Sequence, residues 1–291
     1  MLTIFTPTYN RAYTLSKLYN SLCNQTCSDF EWLVVDDGSV DGTESLLNLW
    51  IKEKLIKIRY VRQENAGKMS AHNVGVCLCE TELFLCVDSD DWILPDSVEI
   101  ILERWNSVKG RADLCGMVAY RYFKKKNGTF QPKACFPSVD YSSLHALYQS
   151  GFRGDTSLIF RTEVLRRYLF PTIEKFITEA YVYDQIDQKY VYFVLNKPII
   201  ICEYQEDGYT RNSLSLQKNY PIGWAMYYGQ YYNFYAKKMK DRVKYAALCM
   251  YFSGMAKKNY KKYITPPFYV AFLGAIAKFH YKKIYERSFL E

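Results

Sequence analysis

The sequence contains no long hydrophobic run. A membrane-spanning helix needs about 18 or more consecutive apolar residues, and the longest candidate, Phe268–Ala277, is far shorter. We therefore predict no transmembrane helix. Met1 leads directly into a strand-like run, so we also expect no cleavable signal peptide. The sequence also has no internal repeat and no low-complexity tract.

Cysteine and histidine patterns typical of zinc sites are also missing. Cys77 and Cys79 form a C-x-C, but none of the other seven cysteines provides a second pair at zinc spacing. Cys115 and Cys202 lie in apolar segments, which indicates reduced, buried thiols in a cytosolic protein. His72 has no second histidine or cysteine at metal spacing, so we interpret it as a structural hydrogen-bonding residue.

Composition and charge suggest a globular chain with two regions. The 291 residues are 49% hydrophobic, which is enough for one large domain or one domain with an extension. Residues 216–291 hold fourteen Lys/Arg and three Asp/Glu, a net +11, whereas the remaining residues sum to −3. We therefore predict a catalytic domain over residues 1–215 and a basic, tyrosine-rich helical extension over 216–291.

Strand-like and helix-like segments alternate through the first 120 residues. This alternation predicts an α/β fold with a parallel sheet and flanking helices. Pro95 is predicted to open a helix that runs through Trp105, with Asp96 in its first turn. Residues 121–215 are less regular and predict mixed, partly antiparallel strands that complete the sheet. The five predicted strands are Leu2–Phe5, Phe30–Val35, Ile56–Val61, Leu83–Val87 and Leu114–Tyr120.

Polar clusters follow each of the first four strands. They read TPTYNR, DDGSVDGT, QENAGK and DSDD, in chain order. Because ligands bind outside the carboxyl ends of parallel strands, these four loops are predicted to converge on one binding edge.

The stretch FLCVDSDDWILPD places three carboxylates within four positions. Residues two apart in extended backbone face the same way, so Asp88 and Asp90 can point together. Two hard oxygen ligands suit Mg²⁺ or Mn²⁺, which takes the rest of its shell from water and substrate phosphates. The alternative is that the aspartates cap the next helix or form a solvated turn, although one aspartate would suffice for that.

Two further residues in these loops could contact a nucleotide. Asp37, at the end of a strand, can accept hydrogen bonds from a base or a ribose. The alternative for its loop is an ordinary turn with Asp41 as a helix N-cap. Lys68 stands near a helix start, where it could contact a phosphate or a base edge, or it could be a solvated lysine.

These four motifs, in this order and spacing, resemble the donor half of family 2 glycosyltransferases. The resemblance is specific over residues 1–105 and weaker over 106–215. It implies a GT-A fold, which is a Rossmann-like nucleotide-sugar-binding architecture with a mixed, mostly parallel sheet. It divides the catalytic domain into a donor half, 1–105, and an acceptor half, 106–215. It also implies that Asp37 contacts the base and that Asp90 binds the metal ion. The other residues that it places at the nucleotide are Thr6, Tyr9, Arg11, Lys68, Asp88 and Ser89.

The same resemblance implies a general base in the second half of the chain. The segment EKFITEAYVYDQI puts Glu179 in the acidic position, with Asp184 as the alternative. Asp91, Asp155 and Arg211 are implied contacts to the donor sugar, the diphosphate or the acceptor. The processive-synthase signature Gln-x-x-Arg-Trp is not present, which favours transfer of single sugars.

The resemblance therefore implies an inverting transferase with Mn²⁺ or Mg²⁺ as cofactor. The expected donor is a nucleotide sugar, with UDP-sugars favoured, and the expected acceptor is a glycan or a lipid-linked oligosaccharide in polysaccharide biosynthesis of a bacterial cell envelope. One alternative is a catalytically silent nucleotide-sugar-binding or scaffold subunit. A nucleotidyltransferase is a second alternative, but it should begin with a Gly-rich, basic phosphate loop, and TPTYNR is not one.

The basic extension leaves two interpretations open. Its apolar segments with flanking Lys and Arg are typical of an interfacial helix at an anionic membrane surface, and they also suit helices that dock on the catalytic domain. No nucleic-acid-binding motif accompanies the charge. We expect a cytoplasmic protein, with peripheral contact at the cytoplasmic face of a membrane under the first interpretation.

Overall fold

The computed structural model describes residues 1–125, 127–203, 205 and 212–288. The chain divides into two compact units. The first, here called the sheet unit, contains Met1–Leu169 and Asp184–Gln205. The second, the helical unit, contains Phe170–Tyr183 and Glu206–Glu291. The predicted catalytic domain over 1–215 thus includes two stretches, 170–183 and 206–215, that group with the C-terminal helices.

Within the described residues, ten strands form one mixed sheet in the sheet unit. Their order across the sheet is β3-β2-β1-β4-β9-β6-β10-β5, with β7 beside β6 and β8 beside β10. The strands are β1 (Leu2–Thr8), β2 (Phe30–Asp36), β3 (Ile58–Arg62), β4 (Leu83–Cys86), β5 (Trp92–Ile93), β6 (Leu114–Lys124), β7 (Phe130–Pro132), β8 (Tyr141–Ser142), β9 (Thr156–Arg161) and β10 (Val191–Cys202).

The sheet confirms the predicted α/β class with mixed strand directions. Strands β3, β2, β1 and β4 are all parallel neighbours. β9 runs antiparallel between β4 and β6, and β10 returns parallel to β6. The apolar runs 191–195 and 199–202 belong to the single strand β10, which continues past Pro198 with a shift in register.

Helices flank the sheet, and α7 passes from the helical unit into the sheet unit. One detail of the prediction was wrong: the fourth helix begins at Ser97 rather than at Pro95, and Asp96 is its N-cap residue. The helices are α1 (Ala12–Cys23), α2 (Thr43–Glu53), α3 (Lys68–Leu78), α4 (Ser97–Val108), α5 (Leu144–Gln149), α6 (Thr162–Leu165), α7 (Ala180–Asp187), α8 (Ser213–Asn219), α9 (Pro221–Phe234), α10 (Met239–Met255) and α11 (Phe268–Ser288).

Apolar residues of α1 and α2 bury one face of the parallel strands. Leu15, Leu18 and Leu22 recur at helical spacing and are all buried. On the same face, the ring of Tyr19 stacks on Trp50 with 4.2 Å between centroids. This burial holds the strand ends, and therefore the loops that follow them, in place.

The helical unit has its own aromatic core. Helices α9 and α10 contribute Tyr232, Tyr251 and Phe252, all of which are buried. Tyr285 of α11 stacks on Tyr251 with 5.3 Å between ring centroids. Among the described residues of both units, no helix has the length and apolar character that crossing a membrane requires.

Candidate functional site

The loops after β1, β2, β3 and β4 meet at the carboxyl edge of the parallel strands. The backbone N–H of Asp37 donates to the Thr8 carbonyl at 2.8 Å, and the N–H of Val87 donates to the Phe5 carbonyl at 2.8 Å. The N–H of Gln63 donates to the carbonyl of Asp36, the last residue of β2, at 2.9 Å. The predicted convergence of the four loops is therefore present in the structure.

The carboxylate of Asp37 joins the loop after β2 to the loop after β3. Its Oδ1 accepts hydrogen bonds from Gln63 Nε2 at 2.7 Å and from the Ala66 N–H at 2.8 Å. Its Oδ2 accepts from the Gly67 N–H at 2.8 Å. Asp37 is buried, so these bonds form where water competes weakly. The side chain holds two loops together, and its implied contact with a base stays a prediction.

A surface cavity of about 440 Å³ lies against these two loops. Gly38 in its wall has φ of +82°, and a Cβ there would lie 3.0 Å from the Asn65 nitrogen. Glycine is therefore the residue that allows the two loops to pack this closely. The cavity is lined by Gly38, Arg62, Gln63, Glu64 and Asn65.

Asn10 links the loop after β1 to the loop after β2, which sequence reasoning missed. Its side-chain oxygen accepts from the Val40 N–H at 2.8 Å, and its own N–H donates to Ser39 Oγ at 2.8 Å. Asn10 has φ of 53°, a left-handed conformation that asparagine tolerates better than most residues. The asparagine in TPTYNR could have indicated a turn in the left-handed conformation at this position.

Asp41 serves the starts of two helices. Its Oδ1 accepts from the Thr43 N–H at 3.0 Å, and its Oδ2 accepts from the Ala12 N–H at 3.1 Å. Partial burial opposes ionisation, but these hydrogen bonds outweigh it and lower the pKa of Asp41. The Asp41 carboxylate therefore bonds the first N–H groups of α1 and α2, but the predicted N-cap position was wrong by one residue, because the N-cap residue of α2 is Gly42.

The three residues of TPTYNR that were predicted at the nucleotide have different surroundings, and the first of them, Thr6, lies within β1 rather than after it. Thr6 is fully buried, and its hydroxyl accepts from Trp32 Nε1 at 2.9 Å. Tyr9 is 47% exposed. Arg11 is the N-cap residue of α1, and its charge reaches Asp90, whose pKa it lowers in part. The roles of all three at a nucleotide stay predictions.

Asp88 and Asp90 share one electrostatic environment with Lys68. Lys68, the first residue of α3, forms an ion pair between its Nζ and Asp88 Oδ1 at 2.7 Å. Burial opposes ionisation of Asp88, but the charges of Lys68 and Arg121 lower its pKa. Burial raises the pKa of Asp90, and the negative charge of Asp88 raises it further. A cation or a hydrogen-bond donor beside Asp90 would therefore be stabilised.

Asp91 is turned into the fold. Its Oδ2 accepts from Arg121 Nη1 at 3.0 Å and from Cys202 Sγ at 3.2 Å. Burial raises the pKa of Asp91 to about 7, against the opposing charge of Arg121. Ser89 beside it is also buried. Sequence reasoning missed Arg121, although a single arginine within the apolar β6 segment was a usable signal.

The donor set around Asp90 fits a hard divalent cation only in part. Within the described part of the chain, no three His, Cys, Asp or Glu side chains gather as a complete metal-binding group. Mg²⁺ and Mn²⁺, however, are commonly held by one or two carboxylates together with substrate phosphates. Asp90, with Asp88 beside it, fits that mode.

The acceptor-side predictions fall around Tyr148 on the sheet unit. Burial raises the pKa of Tyr148, and the negative charges of Asp155 and Asp184 contribute, so both carboxylates lie within electrostatic reach of it. Asp155 also pairs with Lys133, with 3.3 Å between Oδ2 and Nζ. The predicted diphosphate contact, Arg211, lies outside the described residues.

Glu179 lies in the helical unit, immediately before α7. Its carbonyl accepts from the Val182 and Tyr183 N–H groups, both at 3.1 Å, so it begins the helix. Its segment is held by α9, because the Glu174 carboxylate accepts from the Ile222 and Gly223 N–H groups at 3.1 and 2.8 Å. The predicted base is therefore supported by C-terminal helices, which the sequence did not reveal.

Comparison with known proteins identifies the family. The family model described as Glycosyl transferase family 2 matches residues 3–169, which is more than half of the chain. The chain belongs to glycosyl transferase family 2. The matched range contains every donor-side residue discussed above, from Thr6 to Asp91, and it ends before Glu179 and Asp184.

Two curated relatives of this family 2 member match parts of its first half. The glycosyltransferase GlyA of Streptococcus pneumoniae serotype 4 is 34% identical over 129 residues, or 44% of this chain and 18% of GlyA. A chondroitin synthase of Escherichia coli is 34% identical over 105 residues, or 36% of this chain and 15% of the synthase. The match thus spans less than a fifth of the length of either relative.

Solved structures show the same fold for this family 2 member. Residues 1–349 of S. aureus TarS in complex with UDP-GlcNAc align with a TM-score of 0.62 at 20% identity, covering 87% of this chain and 72% of TarS 1–349. The mannosyltransferase PcManGT of Pyrobaculum calidifontis, in complex with GDP-Man and Mn²⁺, aligns with a TM-score of 0.55 at 17% identity, covering 98% and 82%. At these identities the similarity establishes the GT-A-type fold alone.

Proposed function

We propose that this family 2 member is an inverting glycosyltransferase that moves a single sugar from a nucleotide sugar to a hydroxyl group. The observation that carries the proposal is the edge formed by four interlocked loops. There Lys68 pairs with Asp88, and the pKa of Asp90 is raised beside them. Basic and acidic groups side by side suit a diphosphate held through a cation.

The comparisons support a nucleotide-sugar donor. TarS was crystallised with UDP-GlcNAc and PcManGT with GDP-Man, and both share the fold. We propose a UDP-sugar for this chain, with Asp37 holding the loops that line the 440 Å³ cavity beside it. The chondroitin synthase relative supports a role in polysaccharide biosynthesis. We propose a glycan or a lipid-linked oligosaccharide as the acceptor.

Asp90 and Asp88 would hold Mn²⁺ or Mg²⁺, and the Mn²⁺ complex of PcManGT supports this assignment. A bound divalent cation would supply neutralising charge for the diphosphate leaving group. Lys68 and Arg11 would bind the phosphates directly, since both reach Asp90 electrostatically. Asp91, held inside the fold by Arg121, would act on the donor sugar or the acceptor by positioning the loop that carries it.

Glu179 would take the proton from the acceptor hydroxyl as its oxygen attacks the anomeric carbon from the face opposite the leaving group. Asp184 is the alternative base. The transition state would be oxocarbenium-like, and one displacement would invert the configuration without a covalent enzyme intermediate. The proposed division of labour places donor binding in residues 1–105 and acceptor binding in 106–215. Residues 216–291 would form an extension that contacts the cytoplasmic face of a membrane.

A donor screen by calorimetry tests the binding step. UDP-, GDP- and dTDP-sugars should be titrated with and without Mn²⁺, and we expect tightest binding for UDP-sugars with the ion present. Asp90→Ala should abolish the effect of Mn²⁺ while leaving the fold intact, because Asp90 makes no structural ion pair among the described residues. Unaltered Mn²⁺ dependence in this variant would remove Asp90 as the metal ligand.

Variants of the two candidate bases test the chemical step. Glu179→Gln should reduce sugar transfer by about 10²-fold or more without weakening nucleotide binding, and Asp184→Asn is the matched comparison. If only Asp184→Asn behaves in this way, the base is Asp184. Absence of donor hydrolysis and of transfer in the parent chain, with nucleotide binding intact, would instead favour a silent binding subunit. A product with retained anomeric configuration would refute the inverting mechanism.

A further inference from the structure

Helix α11 packs against the other helices of the helical unit through one of its faces. Val270 and Gly274 are buried on that face. A Cβ on Gly274 would lie 3.3 Å from the Ala246 Cβ, so the two helices approach closely there. The opposite face of α11 is left exposed, although its first three turns are composed of apolar residues.

The exposed face forms a continuous apolar stripe. Phe268 is 86% exposed, Phe272 58%, Ile276 55% and Phe279 70%. Their spacing of four, four and three residues places them above one another along the helix. Tyr269 and Leu273 widen the stripe and are also exposed. Contiguous apolar surface of this kind, on a protein with a well-packed core elsewhere, marks a contact surface.

Exposed basic residues lie beyond the C-terminal end of this stripe, at Lys282, Lys283 and Arg287. A Cβ on Gly254 would lie 3.5 Å from Lys278 Nζ, so the end of α10 lies beside the middle of α11. From 257 to 287 the chain holds eight Lys or Arg and a single acidic residue, Glu286. On α11 the cations are Lys278, Lys282, Lys283 and Arg287, and Lys257 and Lys258 follow the end of α10.

We propose that this stripe and its flanking cations, here called the α11 surface, bind a bilayer that contains anionic phospholipids. Phenyl and aliphatic side chains would enter the boundary between headgroups and acyl chains, while the ammonium groups reach the headgroup phosphates. α11 has too many charges to cross a bilayer, so it would lie in the interface. An apolar partner groove would use the stripe but would gain nothing from the exposed cations beyond its C-terminal end, and for this reason we favour a lipid surface.

Vesicle flotation with the full chain tests this proposal and needs no nucleotide. Vesicles of phosphatidylcholine with 30% phosphatidylglycerol should carry the protein upward, and pure phosphatidylcholine should not. Phe268→Ser/Phe272→Ser/Phe279→Ser should weaken binding by about tenfold or more. Lys282→Glu/Lys283→Glu should weaken it by at least about fivefold for each cation. Raising the salt from 0.1 to 0.5 M should also weaken it.

Leu49→Ser/Leu55→Ser is the matched control, since both side chains are exposed apolar residues of the sheet unit. It should float like the parent chain. All substituted side chains are exposed, so circular dichroism should show unchanged folding. Equal flotation of the triple phenylalanine variant and the parent would overturn the proposal, as would equal binding to both kinds of vesicle. A different outcome is that the parent chain self-associates and does not bind vesicles, while the triple phenylalanine variant is monomeric. That outcome would assign the α11 surface to a second copy of the chain.

Discussion

Replacing Asp37 by asparagine removes one oxygen from the centre of the candidate site while keeping the shape of the side chain. In the structure, one carboxylate accepts three hydrogen bonds, from Gln63 Nε2 and from the Ala66 and Gly67 N–H groups. An amide can keep its oxygen toward Gln63 and Ala66. Its NH₂ group must then face the Gly67 N–H, so that one hydrogen bond is lost and two donors oppose each other.

The expected loss of stability follows from these contacts. A hydrogen bond to a charged group contributes about 1.5–3 kcal/mol, and the remaining two bonds lose their charge assistance. Because the backbone donors are only partly buried, we expect Asp37→Asn to lower the free energy of unfolding by about 2 kcal/mol. Asp41→Asn is the matched control. Asp41 is exposed and makes two longer bonds, so its loss should stay near 1 kcal/mol or less.

Urea denaturation followed by tryptophan fluorescence measures both variants, and calorimetric titration with UDP adds a second readout. If Asp37 acts by holding loops, stability and UDP affinity should fall together. An unfolding free energy within about 0.5 kcal/mol of the parent would refute the loop-holding role. If that unchanged stability came with lost UDP binding, it would favour the direct contact with the base that the family resemblance implies.

Three further predictions concern the fold. Gly116→Ala should yield no folded protein, because φ is +147° and a Cβ would lie 1.9 Å from a carbonyl oxygen of β9. Gly110→Ala is the control, since a Cβ there would meet no atom within 4 Å, and it should leave the denaturation midpoint unchanged. Equal midpoints for the two variants would be incompatible with this geometry. Burial raises the pKa of Tyr19, so the folded state keeps this proton at a pH where the unfolded chain releases it. This proton should therefore contribute up to about 1.4 kcal/mol per pH unit to the fall in stability above about pH 10. Because burial also raises the pKa values of other tyrosines, such as Tyr60, Tyr19→Phe should lessen that slope without abolishing it in denaturation between pH 9 and pH 11, and an unaltered slope would show that Tyr19 does not contribute. Glu174→Gln should destabilise the first turn of α9 by about 1 kcal/mol, seen as faster amide hydrogen exchange there, and unchanged exchange would argue against the cap.

The donor-side architecture could be predicted from the sequence because its signals are local. Apolar runs mark β1 to β4, and a polar cluster follows each of them, so the parallel topology places all four clusters at one edge. Asp41 is a similar case, since a carboxylate close before a helix start is a local signal, although it lies one residue before the N-cap position. Such features depend on residues that are neighbours along the chain, so they can be predicted without knowledge of tertiary contacts.

Features that depend on distant contacts could not be predicted. The hydrogen bonds of Asp37 come from residues 26 to 30 positions away, and Arg121 reaches Asp91 across 30 positions. The sequence also did not show that Phe170–Tyr183 groups with the C-terminal helices, because the apolar positions of a short irregular segment do not reveal their partner. The predicted metal, nucleotide and base roles concern ligands and remain predictions for the experiments above.

The Glu174 cap on α9 limits how this enzyme can be shortened or recombined. A fragment trimmed to the matched residues 3–169 would retain the donor loops but would lose both the segment before α7 and the helix that holds it. Chimeras that exchange C-terminal helices between relatives would meet the same difficulty, because α9 is bonded to the segment before α7 through Glu174. Any transplant of donor specificity into another transferase should therefore exchange loops within the sheet and leave the segment from Phe170 to Tyr183 with its own C-terminal helices.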